Sequence, residues 1–342
     1  MATEDQVSST PTPTPTPTSQ PAGAADASLR PSTTGAADSG QRVLLIGGTG
    51  YVGDVMRRRL RDAGHDVTLV VRSADRSAAL KRDGFAIVEG DATDAKALRA
   101  AVQSAAPQVV INLVAIIREE KGVTFEALNY GASVNAIDAA SAAGVPRFIQ
   151  MSALGAHDNP DYPYHFHKWR AEEYLRQSGL QWTIFRPSII FGPGEKTQFV
   201  SQLADIVRSA PVIPVVGDGS SRFQPVHLND VADSFERAVR DVSTAGETYD
   251  LGGAEVLTYE EILDACAEAL GKRKRKVHVP VALMMPAAAV MGAIPFITAP
   301  VTTDQLKMLK LDNTTSANAV PHLVGHPPIP FRGNITYIAK TS

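Results

Sequence analysis

The feature that most constrains the fold is a glycine-rich turn that follows a short apolar run. Residues 43–46 are all Val, Leu or Ile, glycines follow at Gly47, Gly50 and Gly53, and residues 54–60 have a helical pattern. Glycine allows both a sharp bend and the close approach of a phosphate to the backbone. The free N–H groups of the first helical turn then hold the anion. The sequence predicts a buried parallel strand, a dinucleotide-binding turn and a helix; a plain tight turn is the alternative.

The residues between these glycines are the first candidate contacts of a dinucleotide. They stand where the chain passes from the strand into the helix, with their backbone N–H groups toward the phosphates. The candidates in this turn, with the glycines included, are Gly47, Thr49, Gly50, Tyr51, Val52 and Gly53.

Composition narrows the class of protein. A chain of 342 residues predicts one large domain or two small ones, and its 44% hydrophobic content allows an ordinary core. A net charge of −3 gives no sign of nucleic-acid binding. Cys266 is the single cysteine, which excludes an intrachain disulfide and a thiolate metal site, and we expect it in the core. The eight histidines are scattered, and we predict no metal site.

The first 40 residues differ from the rest of the chain. They contain Thr-Pro repeats followed by Ala, Gly, Ser and Asp, with almost no large apolar residues. Such a segment cannot bury enough surface to offset the entropy lost on ordering. The lack of an apolar run and the early Glu4 and Asp5 argue against a secretory signal or an organelle transit peptide. We therefore expect a disordered tether, and a cytoplasmic protein.

Strands and helices alternate from residue 42 onward. Strands are predicted at 43–46, 66–71, 85–88, 109–114, 147–151 and 182–186, with helices between them, among them 94–104 and 125–143. This alternation indicates an α/β fold with a doubly wound parallel sheet, the Rossmann arrangement, whose ligand lies at the carboxyl ends of the strands. The predicted nucleotide-binding core spans 41–190 and includes 226–250. A smaller C-terminal lobe is predicted at 191–225 and 251–342.

The end of the second strand bears on the type of nucleotide. Enzymes that use NAD usually carry a carboxylate there, which holds the ribose hydroxyls. In this chain Arg72 and Ser73 end the strand, and the next acid is Asp75. Arg72 and Arg76 can instead meet a 2′-phosphate, which favours NADP over NAD. Ordinary solvated loop charges are the alternative.

One acid follows the third strand. Asp91, with Ala92 beside it, is placed to meet the adenine end of the nucleotide. An aspartate that caps its own turn is the alternative interpretation.

A serine, a tyrosine and a lysine after the fifth strand have a spacing that suits proton transfer. Pro163 is well suited to the first position of a helix, so Tyr164 and Lys168 share one helical face at i and i+4. A free phenol titrates near 10, and a nearby ammonium lowers that pKa. We predict Tyr164 as the acid/base and Lys168 as its electrostatic partner, with a further bond to the nicotinamide ribose. Ser152, at the end of the strand, is predicted to bind a substrate carbonyl.

Two further residues complete this hypothesis. Asn129 lies on the preceding helix and is predicted to orient a water. Tyr162 is six residues from Lys168 and is expected to face elsewhere. The alternative is that Tyr164 and Lys168 form an exposed pair on a surface helix.

These motifs together resemble the extended or atypical branch of the short-chain dehydrogenase/reductase superfamily over about residues 42–340. The resemblance includes the glycine turn, Ser152, Tyr164 and Lys168. It also includes the segments 112–115, 185–188, 191–194 and 225–232. It implies that Val114, Ala115 and Pro187 contact the cofactor beside the turn.

A narrower resemblance links the chain to the dehydrogenase-like accessory subunit of respiratory complex I and its stand-alone bacterial relatives. It is carried by the segments 151–156, 168–172, 302–309 and 312–313. It implies tight nucleotide binding and, for the mitochondrial member, a structural role. This chain departs from that pattern by its tail and by keeping Ser, Tyr and Lys in catalytic spacing.

Two functions therefore stay open. One is an NAD(P)-dependent oxidoreductase or epimerase-type enzyme that acts on a small-molecule, lipid or quinone-like substrate with a carbonyl or hydroxyl group. The other is a non-catalytic nucleotide-binding accessory or assembly subunit of a membrane respiratory complex of the complex I type.

The second lobe raises the question of membrane contact. Phe199–Ser209 is predicted as an amphipathic helix over the cleft, and Arg222 as a residue that points into the site or, equally, a surface charge. The run 272–276 is basic, and 279–300 lacks charges but is interrupted by prolines. We expect a buried lobe helix. Peripheral contact of 272–300 with the inner face of the membrane is the alternative.

Overall fold

A seven-stranded sheet of parallel strands lies at the centre of the computed structural model. The structure describes residues 40–339, except 73, 121, 195–197, 284–301 and 310. The predicted tail, and the proline-interrupted segment from residue 284 onward, lie outside the described residues.

The sheet has the order β11-β6-β5-β4-β1-β2-β3. Its strands, in chain order, are β1 (Arg42–Ile46), β2 (Asp66–Val71), β3 (Ala86–Glu89), β4 (Val109–Asn112), β5 (Arg147–Met151), β6 (Gln181–Pro187) and β11 (Glu247–Leu251). Successive strands run outward from β1 on one side and from β4 on the other. The direction of winding therefore reverses between β1 and β4, which is where such sheets open a crevice for a ligand.

Helices cover both faces of this sheet. They are α1 (Tyr51–Asp62), α2 (Ala74–Arg82), α3 (Ala95–Ala105), a π-helix (Glu126–Gly131), α4 (Ala132–Ala142), α5 (Pro163–Arg176) and α7 (Leu228–Arg240). One buried cluster packs α1 and α7 against the sheet through residues such as Met56, Leu60 and Phe235. A second cluster, with Leu98, Ala136 and Phe148, packs α3 and α4 against the opposite face. The predicted doubly wound α/β fold is thus confirmed.

Most predicted elements agree with the structure to within a residue or two, and two of them differ in a useful way. The fourth strand ends at Asn112, because the Asn112 side-chain oxygen accepts a hydrogen bond from Val114 N (3.1 Å) and turns the chain out of the ladder. The helix predicted at 125–143 begins as a π-helix, Glu126–Gly131, and continues as α4. π-Turns within helices often mark functional sites.

A smaller group of elements packs at the carboxyl end of β6. Its strands are β7 (Ile190–Phe191), β8 (Ile213–Val216), β9 (Arg222–Phe223), β10 (Val226–His227), β12 (Leu257–Thr258) and β13 (Lys276–Val279). Its helices are α6 (Phe199–Ser209), α8 (Tyr259–Ala269) and α9 (Thr303–Met308). A further short helix, α10 (Val320–Val324), packs with α7 in the core of the main sheet instead.

The C-terminal elements have a separate buried core. Phe191, Phe223 and Phe331 belong to this core, together with Cys266, which is fully buried as expected. Phe199–Ser209 has the predicted bounds. The boundaries proposed between the core and the smaller lobe stay a prediction. No helix among the described residues is long and apolar enough to span a bilayer.

Candidate functional site

The glycine turn brings β1 and α1 so close together that side chains do not fit between them. A Cβ on Gly53 would lie 2.3 Å from the Gly47 carbonyl oxygen. Gly47 has φ +85°, and a Cβ there would lie 3.1 Å from Val114 N. Gly50, the exposed residue before α1, has open space beside it, because a Cβ there would approach nothing closer than the Gly47 carbonyl oxygen at 3.5 Å. This open glycine beside the first turn of α1 fits an anion such as a pyrophosphate.

Other residues of the turn keep it in place. Val52 is buried in the core beneath the turn, and Thr49 is half-buried beside Gly50. Tyr51 donates from its hydroxyl to the carbonyl of Gly192 (3.1 Å), and burial raises the pKa of this phenol. The turn is therefore tied to the segment that follows β7. Its contact with a nucleotide would come through the backbone.

The candidate cofactor residues lie at or just after the carboxyl ends of β3, β4 and β6, which point to the same side of the parallel sheet. Val114 and Ala115 are half-buried after β4, and Ala92 is buried after β3. Pro187 ends β6, and its carbonyl accepts from Leu154 N (2.9 Å) in the loop after β5. Because neighbouring strands lie about 4.8 Å apart, the row formed by their carboxyl ends, here called the carboxyl edge, can hold an elongated ligand laid across several strands.

Arg72 and Asp91 lie close enough to interact at the β2 and β3 end of this edge. Arg72 is exposed. Partial burial acts to raise the pKa of Asp91, but hydrogen bonds from Thr93 and the charge of Arg72 outweigh it, so this pKa is lowered. The Asp91 carboxylate accepts from Thr93 N (2.9 Å) and from its hydroxyl (2.8 Å). Asp91 thus caps its own turn, the alternative that the sequence left open, and it also faces a cation.

Tyr164 and Lys168 lie one turn apart near the start of α5, which begins at Pro163 as predicted. The ring of Tyr164 packs edge-on against Phe125, with 6.0 Å between the ring centres. Lys168 is 1% exposed, and its ammonium donates to the carbonyl of Met151 at the end of β5 (2.6 Å). The helix face therefore places both groups at the carboxyl edge of the sheet.

The pKa values at this face differ from the expectation that Lys168 lowers the pKa of Tyr164. Burial raises the pKa of Tyr164 to about 12. Burial also lowers the pKa of Lys168, to about 8. The negative charge of Glu172 has the opposite, smaller effect and raises this pKa. The Lys168 ammonium is bound to the Met151 carbonyl. The pKa of Tyr164 is therefore set by desolvation and not by the charge of Lys168. At neutral pH, the tyrosine is protonated and the lysine is mostly charged.

Ser152 is 3% exposed, and its hydroxyl donates to the carboxylate of Glu172 (2.5 Å). A serine hydroxyl has a single proton. While that proton is committed to Glu172, Ser152 can accept a hydrogen bond but cannot donate one to a substrate carbonyl. Ser152 thus directs its hydroxyl proton at Glu172, whereas the predicted role required that proton for a substrate carbonyl.

Asn129 lies in the π-helix and is fully buried. Its side-chain oxygen accepts from Ile116 N (2.8 Å), and its amide donates to Ile116 O (3.0 Å). Both ends of the carboxamide therefore hold the loop after β4. The expected role of Asn129 in orienting a water stays a prediction.

Arg222 forms an exposed ion pair with Asp312, and their side chains are 58% and 45% exposed. The Arg222 Nε donates to the Asp312 carboxylate (2.9 Å), and this hydrogen bonding, with the charge of Asp312, raises the pKa of the guanidinium. The surface-charge interpretation of Arg222 therefore applies. Tyr162, expected to face elsewhere, packs 5.5 Å from the ring of His157.

The basic run of the second lobe is only partly solvated. Lys274 donates to the carbonyl of Ala210, and Lys276 pairs with Glu260 and Asp264. The side chains of Lys272, Arg273 and Arg275 are exposed.

Glu172 and Arg186 are part of the site but were not predicted from the sequence. Glu172 is fully buried, and Arg186, on β6, donates to it through Nε (2.9 Å) and through Nη2. The signal was available, because Glu172 continues the i, i+4 row of Tyr164 and Lys168 along α5. Arg186 belongs to the family segment 185–188, but its sequence position alone does not show that it faces α5.

Comparison with known proteins agrees with this geometry. A protein family described as NAD(P)H-binding matches residues 47–210. The mitochondrial NADH dehydrogenase [ubiquinone] 1 alpha subcomplex subunit 9 of Arabidopsis thaliana is 29% identical over 315 residues, which cover 86% of this chain and 77% of the relative.

An enzyme and a solved structure are also similar to the chain. The 3 beta-hydroxysteroid dehydrogenase/Delta 5→4-isomerase of Mycobacterium tuberculosis is 30% identical over 272 residues, which cover 70% of this chain and 72% of that protein. The UDP-glucose 4-epimerase of Thermotoga maritima superposes with a TM-score of 0.66 at 18% identity, covering 87% of this chain and 97% of the epimerase. The last similarity concerns the fold.

His165, next to Tyr164, should make the protein sensitive to acid. It is 5% exposed, and burial, with a smaller effect of His157, lowers the pKa of His165 to about 4. The unfolded chain, with a pKa near 6.5, binds the proton more readily, so stability contributed by neutral His165 is lost as pH falls from about 6.5 to about 4. We expect a loss of about 3 kcal/mol in the free energy of unfolding over that window.

Urea unfolding of wild type and His165→Gln at several pH values measures this loss. The variant should lose clearly less stability than wild type between pH 6.5 and 4. His322→Gln, an exposed histidine on α10, is the control. Parallel acid losses in wild type and His165→Gln would contradict the assignment.

Proposed function

Because the chain belongs to the extended branch of the short-chain dehydrogenase/reductase superfamily and carries an NAD(P)H-binding domain, we propose that it is an NAD(P)-dependent oxidoreductase or epimerase-type enzyme. Its substrate has a carbonyl or hydroxyl group that exchanges a proton with Tyr164. The observation that carries the proposal is the shared helix face of Tyr164 and Lys168 at the carboxyl edge of the sheet.

The nucleotide would be held by the residues along that edge. Its pyrophosphate fits the turn with Gly50 at the start of α1, and its nicotinamide half lies toward Val114, Lys168 and Pro187. When bound, the nicotinamide accepts or supplies a hydride. The protein must then manage the proton that accompanies this transfer.

Tyr164 is the group for that proton. Its raised pKa keeps the phenol protonated at neutral pH, so it can give the proton to the oxygen of a carbonyl that is being reduced. In the reverse direction the phenolate must form, and a positive charge nearby favours it. Lys168, one turn along the helix, brings such a charge. Ser152 donates its proton to Glu172 in this arrangement and can only accept a hydrogen bond from a substrate, and Asn129 keeps the loop after β4 in place.

Tyr164→Phe tests the proposal because it removes the proton and keeps the ring. Turnover should fall at least about a hundredfold, as is typical when a general acid/base is lost, while NADPH binding is unchanged. NADPH absorbance with a panel of cyclic ketones, quinones and sugar nucleotides measures turnover, and nicotinamide fluorescence measures binding.

Tyr162→Phe is the matched control for this experiment. It removes a second tyrosine hydroxyl two residues away and should keep turnover. Equal turnover in wild type and Tyr164→Phe would contradict the assignment. Equal losses in Tyr162→Phe and Tyr164→Phe would also contradict it.

We further propose that NADP is preferred over NAD. Arg72 ends β2 as an exposed cation, where an acid would hold the ribose hydroxyls of NAD. Its closeness to Asp91, at the β2 and β3 side of the sheet, supports an adenosine-binding role for both residues. A guanidinium there suits a 2′-phosphate, because it can donate two parallel hydrogen bonds to it.

Arg72→Ala should therefore weaken NADPH binding by about tenfold or more, equal to about 1.4 kcal/mol, and leave NADH binding almost unchanged. Titration of nicotinamide fluorescence gives both dissociation constants. Arg99→Ala removes another exposed arginine, on α3, and should change neither. A similar loss for both nucleotides, or none, would show that Arg72 does not select NADP.

A second candidate function is a nucleotide-binding accessory or assembly subunit at a membrane complex. The observation that favours it is the similarity to the complex I subunit, together with a mixed basic and apolar surface on the second lobe. On this surface Arg273 and Arg275 are exposed near Val277, which is 48% exposed, and Leu283, which is 68% exposed. Such a surface suits anionic headgroups at the membrane interface.

Vesicle sedimentation tests this surface. Wild type should pellet with phosphatidylserine-containing vesicles and much less with phosphatidylcholine vesicles, and added salt should weaken the binding. A variant with Lys272, Arg273 and Arg275 changed to Glu should stay in solution. Changing exposed Lys81 and Arg82 of α2 to Glu should have no effect. Failure of wild type to pellet, or equal binding by both variants, would contradict membrane contact.

A further inference from the structure

A buried carboxylate lies directly behind the candidate catalytic face of α5. Glu172 is fully buried and accepts hydrogen bonds from Ser152, from Arg176 (2.9 Å) and from Arg186. A carboxylate taken out of water is costly unless its oxygens are paired in this way. The arginines approach from different elements, Arg176 from α5 and Arg186 from β6, and both are about a quarter exposed. The position of Glu172 is therefore fixed from two sides.

The contacts of Glu172 and Lys168 meet at one point of the sheet. Lys168 donates to the carbonyl of Met151, and Glu172 accepts from the hydroxyl of Ser152, the next residue. Two residues four apart on the helix are thus bound to two consecutive residues at the end of β5. Since Tyr164 stands on the same face one turn earlier, this double attachment also sets where the phenol lies.

We propose that Glu172 is a positioning residue of this site, which turns the Ser152 proton away from the substrate and holds the Lys168 ammonium charged against the end of β5. It touches neither substrate nor nucleotide, and it acts through Ser152 and Lys168. The meaning of this arrangement for catalysis rests on the proposed function of Tyr164 and Lys168. The arrangement itself can be tested without any substrate.

The electrostatic part concerns the groups that face Lys168. On α5 these are Tyr164 and Glu172, one turn to either side, and β5 offers the uncharged carbonyl of Met151. Arg176 and Arg186 act on Lys168 only through Glu172, to which both donate. Asp250 on β11 acts on Arg186 in turn. Glu172 is the anion with a resolved effect on the pKa of Lys168, which burial otherwise lowers. Loss of its charge should make Lys168 easier to deprotonate.

The experiment is a pH titration of Lys168 by NMR in the full chain labelled on lysine, with the signal assigned by its loss in Lys168→Arg. Glu172→Gln should lower the pKa of Lys168 by on the order of one unit. Arg176→Ala removes a nearby cation from a partly exposed position and should raise it. Glu173→Gln is the control, because Glu173 also pairs with Arg176 but its side chain is 40% exposed, whereas Glu172 is buried against Ser152.

The hydroxyl of Ser152 gives a second readout. A proton donated to a buried carboxylate exchanges slowly, so we expect a hydroxyl signal that disappears in Ser152→Ala and shifts in Glu172→Gln. An unchanged Lys168 titration in both Glu172→Gln and Arg176→Ala would overturn the proposal. If Glu172→Gln fails to fold, Arg176→Ala alone decides, since a lysine that does not respond to it contradicts the electrostatic role.

Failure of this proposal and failure of the proposed function are separable. The titration needs no turnover, so a catalytically silent protein can still show the effect of Glu172 on Lys168. Conversely, an active enzyme whose Lys168 ignores Glu172 would retain the proposed function and lose this inference.

Discussion

The close contact between β1 and α1 is the constraint on which the rest of this structure depends. No side chain fits at Gly53, because a Cβ there would lie 2.3 Å from the carbonyl oxygen of Gly47. That contact sets the angle at which α1 leaves the sheet and turns its N-terminus toward the crevice between β1 and β4. The turn is also fastened to the segment after β7 by the hydroxyl of Tyr51. The glycine turn and the segment after β7 are therefore joined directly by a side-chain hydrogen bond.

The candidate site divides into a charged end and an enclosed end. Arg72 is exposed and Asp91 is half-buried at the β2 and β3 side, and we propose that this cation and anion recognise the adenosine half of a nucleotide. Tyr164 and Lys168 lie at the β5 side, where burial dominates their pKa values. Chemistry that moves a proton is favoured at the enclosed end, because charges interact strongly where water is excluded.

The sequence allowed the sheet and most of its elements to be predicted, because buried parallel strands appear as continuous apolar runs between helical stretches. The glycine turn, the helix start at Pro163 and the face of Tyr164 and Lys168 follow from local rules of the same kind. The partners and directions of the side-chain hydrogen bonds do not follow from such local rules. Ser152 donates to Glu172, Asn129 holds the backbone of Ile116, and Arg222 pairs with Asp312. These partners lie between 13 and 90 residues apart in the chain, so only the folded packing decides them.

The similarity to a complex I subunit and to a dehydrogenase leaves the balance between a structural and a catalytic role to experiment. Both roles require the same nucleotide site. Native mass spectrometry of the purified protein with added NADPH or NADH tests that requirement most directly. We expect wild type to form a complex of one nicotinamide dinucleotide per folded chain. A folded chain that takes up neither nucleotide would contradict it and leave the glycine turn as an element of structure alone.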